Sequence, residues 1–403
     1  MTDLKRRGIA TSAVLIGFAT FTLSLIGCSQ DPTESNSLTS SLPLTDFIIR
    51  DTTIRASGSS TFRHNLPMDG KINMVGQQGG YTAYTAIEFY PTYFPLRDTI
   101  LVLSAKLKLY TISRFGDSIG TFSFNAYPIT RSWGETTLLW DSVQTGFYDA
   151  TNPRGSYSGF AAPDTQQIVV NLDTAMVRGW LTTAGNASNY GILLVPSPGS
   201  TLIRGLHEFL HLYETSYDST YYYPSLEIIA AGPSGTIDTA TYNQGMDTFV
   251  GNIDNLNTNP SLIYVQAGVV YRSTLNFDVS FIPKGSIVNS AELQLTRDPA
   301  TSRLNRFSAD SSVAANFLIS ATDYTIYDGT TSTGIRKAGT PYTYSFDLRH
   351  AVQSWVREAN YGILLQTSAA NEFSSLDLIT FFNQQADAAH SPRLKIIYSV
   401  RKD

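Results

Sequence analysis

The stretch Asn189-Tyr190-Gly191-Ile192-Leu193-Leu194 occurs a second time, letter for letter, at residues 360–365. The chain repeats itself around it in the same order. "LSAKLKLY" at 103–110 matches "NSAELQLT" at 289–296, and Val177-x-x-Trp180 matches Val352-x-x-Trp355. Pro224-Ser225-Leu226-Glu227-Ile228-Ile229 matches Pro392-Arg393-Leu394-Lys395-Ile396-Ile397. Ahead of these, "IEF" at 87–89 and "LNF" at 275–277 each place a Phe six residues before a proline, Pro95 and Pro283. Ordered self-matches of this kind imply one unit of roughly 160–185 residues used twice. The expected units are 46–230 and 247–403, opening on "DFIIR" and "DTFVG". Between them, Gly, Pro, Ser and Thr dominate and apolar alternation lapses, so 231–246 is expected to be a linker.

Within a unit the apolar period is two. Ala105, Leu107 and Leu109 alternate with Lys106 and Lys108, and Ala291, Leu293 and Leu295 alternate with Glu292 and Gln294. Phe122, Phe124 and Ala126 continue the pattern. This is the signature of strands with one wet face. Short continuous runs such as "YGILLV" fit buried strands. Many short strands between Gly/Pro/Asn/Asp turns predict a β-sandwich. One helix-like element per unit interrupts the rule, "DTAMVRGWL" and "RHAVQSWV". Ala351, Val352, Trp355 and Val356 share a helical face, so each element reads as a short helix closing one end of a sandwich, with Trp180 and Trp355 as core plugs. The expected fold is therefore all-β: two tandem sandwiches, each with one short helix, behind an N-terminal leader. A 42% hydrophobic content permits a sizeable core, and 23 Tyr and 21 Phe favour strands. A net charge of −5 gives no reason to expect nucleic acid.

Residues 1–27 read as a secretory signal: Lys5, Arg6 and Arg7, then an apolar stretch ending in Leu25-Ile26-Gly27-Cys28. The end resembles the lipobox of bacterial lipoproteins. That resemblance implies cleavage before Cys28, lipidation of Cys28, and a lipid-anchored protein of the cell envelope. Ser29 after the cysteine implies the outer membrane by analogy with enterobacterial sorting, with surface exposure left open. The alternative is an uncleaved anchor, since about twenty apolar residues just span a bilayer. The polar, Ser/Thr-rich segment 28–45 is expected to be a flexible tether. Cys28 is the only cysteine, so lipidation leaves no thiol for a disulfide or a Cys-based zinc site.

His207-Glu208-Phe209-Leu210-His211 spells H-E-x-x-H, which on a helix binds zinc with the glutamate as general base. On a strand the two histidines stand about 13 Å apart, too far for one zinc with Zn–N near about 2.1 Å. The matching segment of the second unit, "FSSLDLITFF", has no histidine and alternates as a strand does. The strand is the expected reading, with no metal site and no catalysis. No G-x-S-x-G elbow appears, and "GQQGG" at 76–80 lacks the G-K-[ST] of a phosphate loop and reads as a turn. Asp117, Asp141, Asp298 and Asp310 are the carboxylates a structural Ca²⁺ would take, but EF-hand spacing is missing and they read as turn residues. No other cofactor is implied.

"RSTLNFDVSFIPKGSIVNSAELQL" (272–295), "DLRHAVQSWV", "NYGILLQTS" and "SPRLKIIYS" together resemble the DNRLRE domain of exported bacterial and archaeal proteins. "ITRSWGETTLLWD" (129–141) resembles that family's Trp-x-Glu-x-Thr segment, which the second unit lacks. The resemblance implies jelly-roll-like sandwiches similar to carbohydrate-binding modules, and hence a polysaccharide-binding protein rather than an enzyme. Tyr217, Tyr221, Tyr222 and Tyr223, in a loop after the H-E-x-x-H stretch, are the candidate sugar platform: each offers a flat face and a hydroxyl. The same tyrosines could simply cover a sandwich edge. A structural or adhesive envelope protein, and a zinc hydrolase using His207, Glu208 and His211, are the competing readings.

Overall fold

The computed structural model describes residues 46–402, apart from 69–71, 92–93, 95–97, 116–119, 145, 161–164, 208–222, 254–255, 257–258, 305–312, 328–330, 340–341 and 374. The first strands are β1 (Phe47–Arg55), β2 (Gly58–Arg63), β3 (Ile72–Gln78), β4 (Tyr81–Phe89), β5 (Leu101–Phe115), β6 (Thr121–Pro128), β7 (Gly155–Phe160) and β8 (Gln166–Asn171). Helices α1 (Thr174–Trp180) and α2 (Thr183–Asn186) precede β9 (Ile192–Pro196), β10 (Ile203–His207) and β11 (Ser225–Ala231). The long β12 (Ile237–Ile253) leads to β13 (Leu262–Gln266), β14 (Tyr271–Asn276), β15 (Ile287–Thr296), β16 (Val313–Phe317), β17 (Ser332–Thr333), β18 (Ile335–Lys337) and β19 (Thr343–Asp347). Helix α3 (Arg349–Trp355), β20 (Ile363–Thr367), helix α4 (Ala369–Glu372), β21 (Leu378–Phe382) and β22 (Arg393–Arg401) complete the described chain. The protein is all-β, as its periodicity requires. Each half carries a second, one-turn helix beyond the one expected.

The repeated Asn-x-Gly explains its own recurrence. Asn189 donates its amide to the Phe89 carbonyl (2.9 Å) and accepts from the Gly191 N–H (3.1 Å). Asn360 does the same with Phe277 (2.7 Å) and Gly362 (2.9 Å). The glycines stand at φ +79° and +81°, and a Cβ there would lie 2.1 Å from the Ile87 carbonyl oxygen or 2.6 Å from that of Leu275. Asn-x-Gly and the "IEF"/"LNF" segments are thus two ends of one buried turn that launches β9 and β20. The alternation also holds: Ala105, Leu107 and Leu109, and Ala291, Leu293 and Leu295, are buried. Outside, Glu227 pairs with Lys108 (2.6 Å) and Glu292 with Lys337 (2.7 Å). Ala351, Val352, Trp355 and Val356 are all buried, as the helical face predicts.

In the first half, β12-β11-β5-β10-β3-β4 close into a ring, because β12 pairs with both β11 and β4. β9, β6 and β7 extend from β4, and β8 lies beside β5. β5 and β12 each pass from one layer of the sandwich to the other: Lys106–Tyr110 pair with β8 while Thr111–Phe115 pair with β10. The second half reproduces these pairings in two sheets, β1-β22-β15-β19-β18 and β17-β16-β20-β14-β13-β21 with β2 on β14. Bridges Arg297↔Phe381 and Arg303↔Leu378 stand where the first half has β5 against β10.

The correspondence reveals an exchange. β12 pairs with β11 along 237–243 and with β4 along 244–253, bulging between Gln244 and Met246. The equivalent places in the second half, beside β22 and β14, are taken by β1 and β2 from the other end of the chain. The segment that opens the second half in sequence therefore completes the first sandwich, and the N-terminal segment completes the second. Two expectations change. Residues 231–246 are not a linker but the end of β11, a tight turn with Gly235 at φ +77°, and half of β12. The sandwiches are not the contiguous stretches 46–230 and 247–403. Gly232, Pro233 and Gly235 hid the alternation that follows them, in which Ala240, Tyr242 and Gln244 are buried between exposed Thr239, Thr241 and Asn243.

Residues Arg50–Tyr398 form one compact unit; residues 46–49 and 399–402 group apart from it, with the Lys402 N–H on the Asp46 carbonyl (2.7 Å). Inside the compact unit, an apolar cluster joins the sandwiches: Met74, Ala83, Ile203 and Phe249 from the first, Leu262, Tyr264, Leu376 and Leu378 from the second. Arg303 adds a hydrogen bond to the Gly79 carbonyl (2.6 Å) across the same junction. A shared core of this kind makes the two sandwiches one body rather than beads on a string.

Candidate functional site

Of the residues singled out in sequence, Cys28, Glu208, His211, Tyr217, Tyr221 and Tyr222 lie outside the described residues, as do Asp117 and Asp310. His207 ends β10 opposite Ile72, in extended conformation, and its ring meets Tyr223 edge-on at 5.2 Å. Leu206, beside it, is wholly buried in the first core. Among the described residues, no group of three His, Cys, Asp or Glu side chains is arranged to hold a metal ion. Asp141 accepts from the Asn65 amide (3.3 Å), and Asp298 accepts from the Ala300 N–H (3.1 Å) and the Thr301 hydroxyl. "GQQGG" is a hairpin turn, Gly79 and Gly80 standing at φ +58° and +88° between β3 and β4.

The Trp-x-Glu-x-Thr segment has an identifiable task. The Glu135 carboxylate accepts the Asp247 N–H (2.8 Å) at the bulge where β12 changes partner, and the Trp133 indole N–H donates to the Tyr190 carbonyl (2.9 Å). It ties the strand switch to the Asn-x-Gly turn. In the second half that switch falls at the break between β1 and β2, where the Ala56 and Ser57 N–H groups are taken by the Pro392 and Asn276 carbonyls (3.2 and 2.8 Å). Backbone acceptors there do what Glu135 does in the first half.

The second sandwich carries a trough lined from β15, β17, β18 and β19, about 320 Å³, beside a second recess of about 170 Å³ that shares Ser332 and Asp347 with it. Its walls present Asn289, Ser290, Glu292, Ser332, Asp347 and Arg349, with His350 and Phe317 in the recess. Glu292 accepts from the Lys337 ammonium (2.7 Å) and the Ser345 hydroxyl (2.5 Å), and these two bonds, the lysine's first, hold its carboxyl below the usual range. One Asp347 oxygen accepts the Arg349 N–H (2.9 Å). The trough thus fixes hydroxyl, amide, carboxylate and guanidinium groups on rigid strands, donors and acceptors suited to a polyhydroxylated ligand.

The corresponding place in the first half carries different residues. Leu172 N–H on the Ala105 carbonyl and Leu348 N–H on the Ala291 carbonyl set Asn171 against Asp347 and Asp173 against Arg349. Asp173 caps α1 by accepting the Met176 N–H (2.8 Å) and binds Arg154 (3.3 Å), which leads into β7. That cap and Arg154 depress its carboxyl. Arg349 in place of Asp173 removes the carboxylate that makes this cap and ion pair. The signal was present in sequence as "NLDT" against "DLRH", and aligning the copies for difference rather than likeness would have found it. A second polar groove, about 390 Å³, lies at the β3–β4 hairpin beside Gln77, Gln78, Ser200 and Thr201.

No family model matches the chain, and no curated protein matches it. Two solved structures are weakly similar. One, named "BspA_C_WT", is 8% identical over 83% of this chain and 88% of its own, with a TM-score of 0.17. The other, "Streptococcus agalactiae AgI/II polypeptide BspA C terminal domain (WT)", is 8% identical over 86% and 92%, with a TM-score of 0.16. Similarity at that level carries no argument about fold or function.

Proposed function

We propose that this chain is a non-catalytic, lipid-anchored protein of the cell envelope, held through Cys28 in the outer membrane, that binds polysaccharide on rigid β-sandwiches. The observation that carries the reading is the polar trough of the second sandwich, where hydroxyl, amide, carboxylate and guanidinium groups converge on its strands. The resemblance of both halves to the DNRLRE domain supports the same ligand class, and the lipobox-like end of the leader supports the location. Tyr223, packed on His207, belongs with the tyrosine loop as a second contact region. His207 in a strand speaks against the zinc hydrolase. A structural or adhesive protein without a small ligand is the second reading, favoured by the apolar cluster that the two sandwiches share.

The test is a panel of immobilised polysaccharides, with and without Ca²⁺, probed with the native protein and with Asp347→Ala, Ser332→Trp and Tyr223→Ala. Retention by at least one neutral glycan, cut tenfold or more by Asp347→Ala or by filling the trough with Ser332→Trp, is expected. Failure to bind any glycan, or binding indifferent to all three changes, hands the case to the structural reading.

A further inference from the structure

β1 and β2 complete a sandwich to which they are distant in sequence: Thr61 and Ser273, whose hydroxyls meet at 2.7 Å, are 212 residues apart. The groove beside β14 and β22 therefore recognises a strand that is not its chain neighbour. The two exchanged segments are also held very differently. Nine residues of β12 are buried, Phe249 and Val250 among them. Across β1, β2 and the two residues joining them, Ala56 alone is buried, and Ile49 is 70% exposed. What holds the N-terminal pair is the β1–β22 and β2–β14 ladders and contacts made mostly outside the core, among them Phe62 stacked on Tyr324 (4.1 Å), Ser59 on Gln384 (2.8 Å), Asp51 with Lys395 (3.3 Å) and Arg63 on Asn252 and the Gly251 carbonyl (both 3.3 Å). An element with an intact ladder and almost no buried side chain belongs to the low-stability end of local unfolding.

The geometry points to β1–β2 as an exchangeable strand pair, fitted to the same groove in a second copy of this chain. A donated strand makes every hydrogen bond and contact that the chain's own strand makes, so the exchange is close to neutral in enthalpy. Its extent is set by local concentration. On the reading proposed above, in which copies are anchored by their N termini on one membrane, that concentration is raised by confinement to a surface. The product is a reciprocal dimer or a head-to-tail row in which each copy's second sandwich is closed by its neighbour. β12, buried along most of its length, stays in place and keeps the remainder of each copy intact.

Paired cysteines test this in the full chain with Cys28→Ala. Thr61→Cys and Ser273→Cys in one chain, dilute, are expected to close a disulfide within the molecule; failure to do so would contradict the pairing itself. The two single variants are then mixed, unfolded together and refolded under oxidant at rising concentration. A disulfide-linked dimer of one variant with the other is expected, increasing with concentration and several-fold more abundant than either homodimer. Monomers throughout, while the double variant closes internally, would overturn exchange. So would mixed dimers no commoner than homodimers of the Thr61→Cys variant, which would mark random collision.

Discussion

His64 shows what a single residue near the exchanged strand contributes. It follows β2, donates its backbone N–H to the Val270 carbonyl (2.8 Å) and lies near the Arg272–Glu372 pair, whose two bonds are each 3.0 Å. Burial, then the Arg272 charge, lowers its pKa, while Glu372 opposes the shift in part. A histidine whose folded pKa is depressed favours folding in its neutral form. Its contribution is full above the unfolded value of about 6.5 and is lost as pH falls through the lower folded value. The native protein is therefore expected to lose melting temperature between about pH 7.5 and about pH 5 faster than His64→Gln does, the difference between the two curves isolating this ring from the other histidines. Parallel curves would mean that His64 titrates alike in both states. At the same scale, Asn360 and Gly362 form a closed requirement: the amide needs the Phe277 carbonyl, and the glycine needs φ +81° within 2.6 Å of the Leu275 oxygen.

Among elements, β12 is the one on which the architecture turns. A strand that changes layers must break its ladder at one point, and the bulge between Gln244 and Met246 is that point. Glu135 satisfies the N–H freed there, and a charged acceptor on a half-buried N–H is worth about 1.5–3 kcal/mol. Glu135→Ala is expected to cost about 2 kcal/mol in urea unfolding, and Glu135→Gln about half of that, since an amide oxygen still accepts. Amide exchange should then rise first at Asp247 and its neighbours. Equal losses for Ala and Gln would indicate that the carboxylate acts through packing instead.

For the whole molecule, the crossing of β12 and the cluster of Met74, Phe249, Leu262 and Tyr264 bind the halves together. A protease site placed in the 232–235 turn should accordingly be cut without separating the fragments. The nicked protein is expected to elute at the size of the intact one and to part only in denaturant. Two independently folded fragments of half size would contradict the exchanged topology.

Much of this was legible in the sequence because it rests on local, periodic constraints. Alternation at 105–109 and 291–295 specifies half-buried strands, the helical face of Ala351, Val352, Trp355 and Val356 specifies a packed helix, and the repeated Asn-x-Gly specifies a turn that both halves must make. What the sequence could not assign is which half each shared strand serves. "DFIIR" and "DTFVG" both read as opening strands, and pairing between residues 212 apart leaves no local mark. The trough was equally out of reach, because it is a volume. It is lined from β15, β17, β18 and β19, and only the packed structure brings those strands together. Strand propensity and turn chemistry act over a few residues. Partner choice among near-equivalent edges is settled by burial summed over the whole chain, and that sum is formed only when the tertiary structure is.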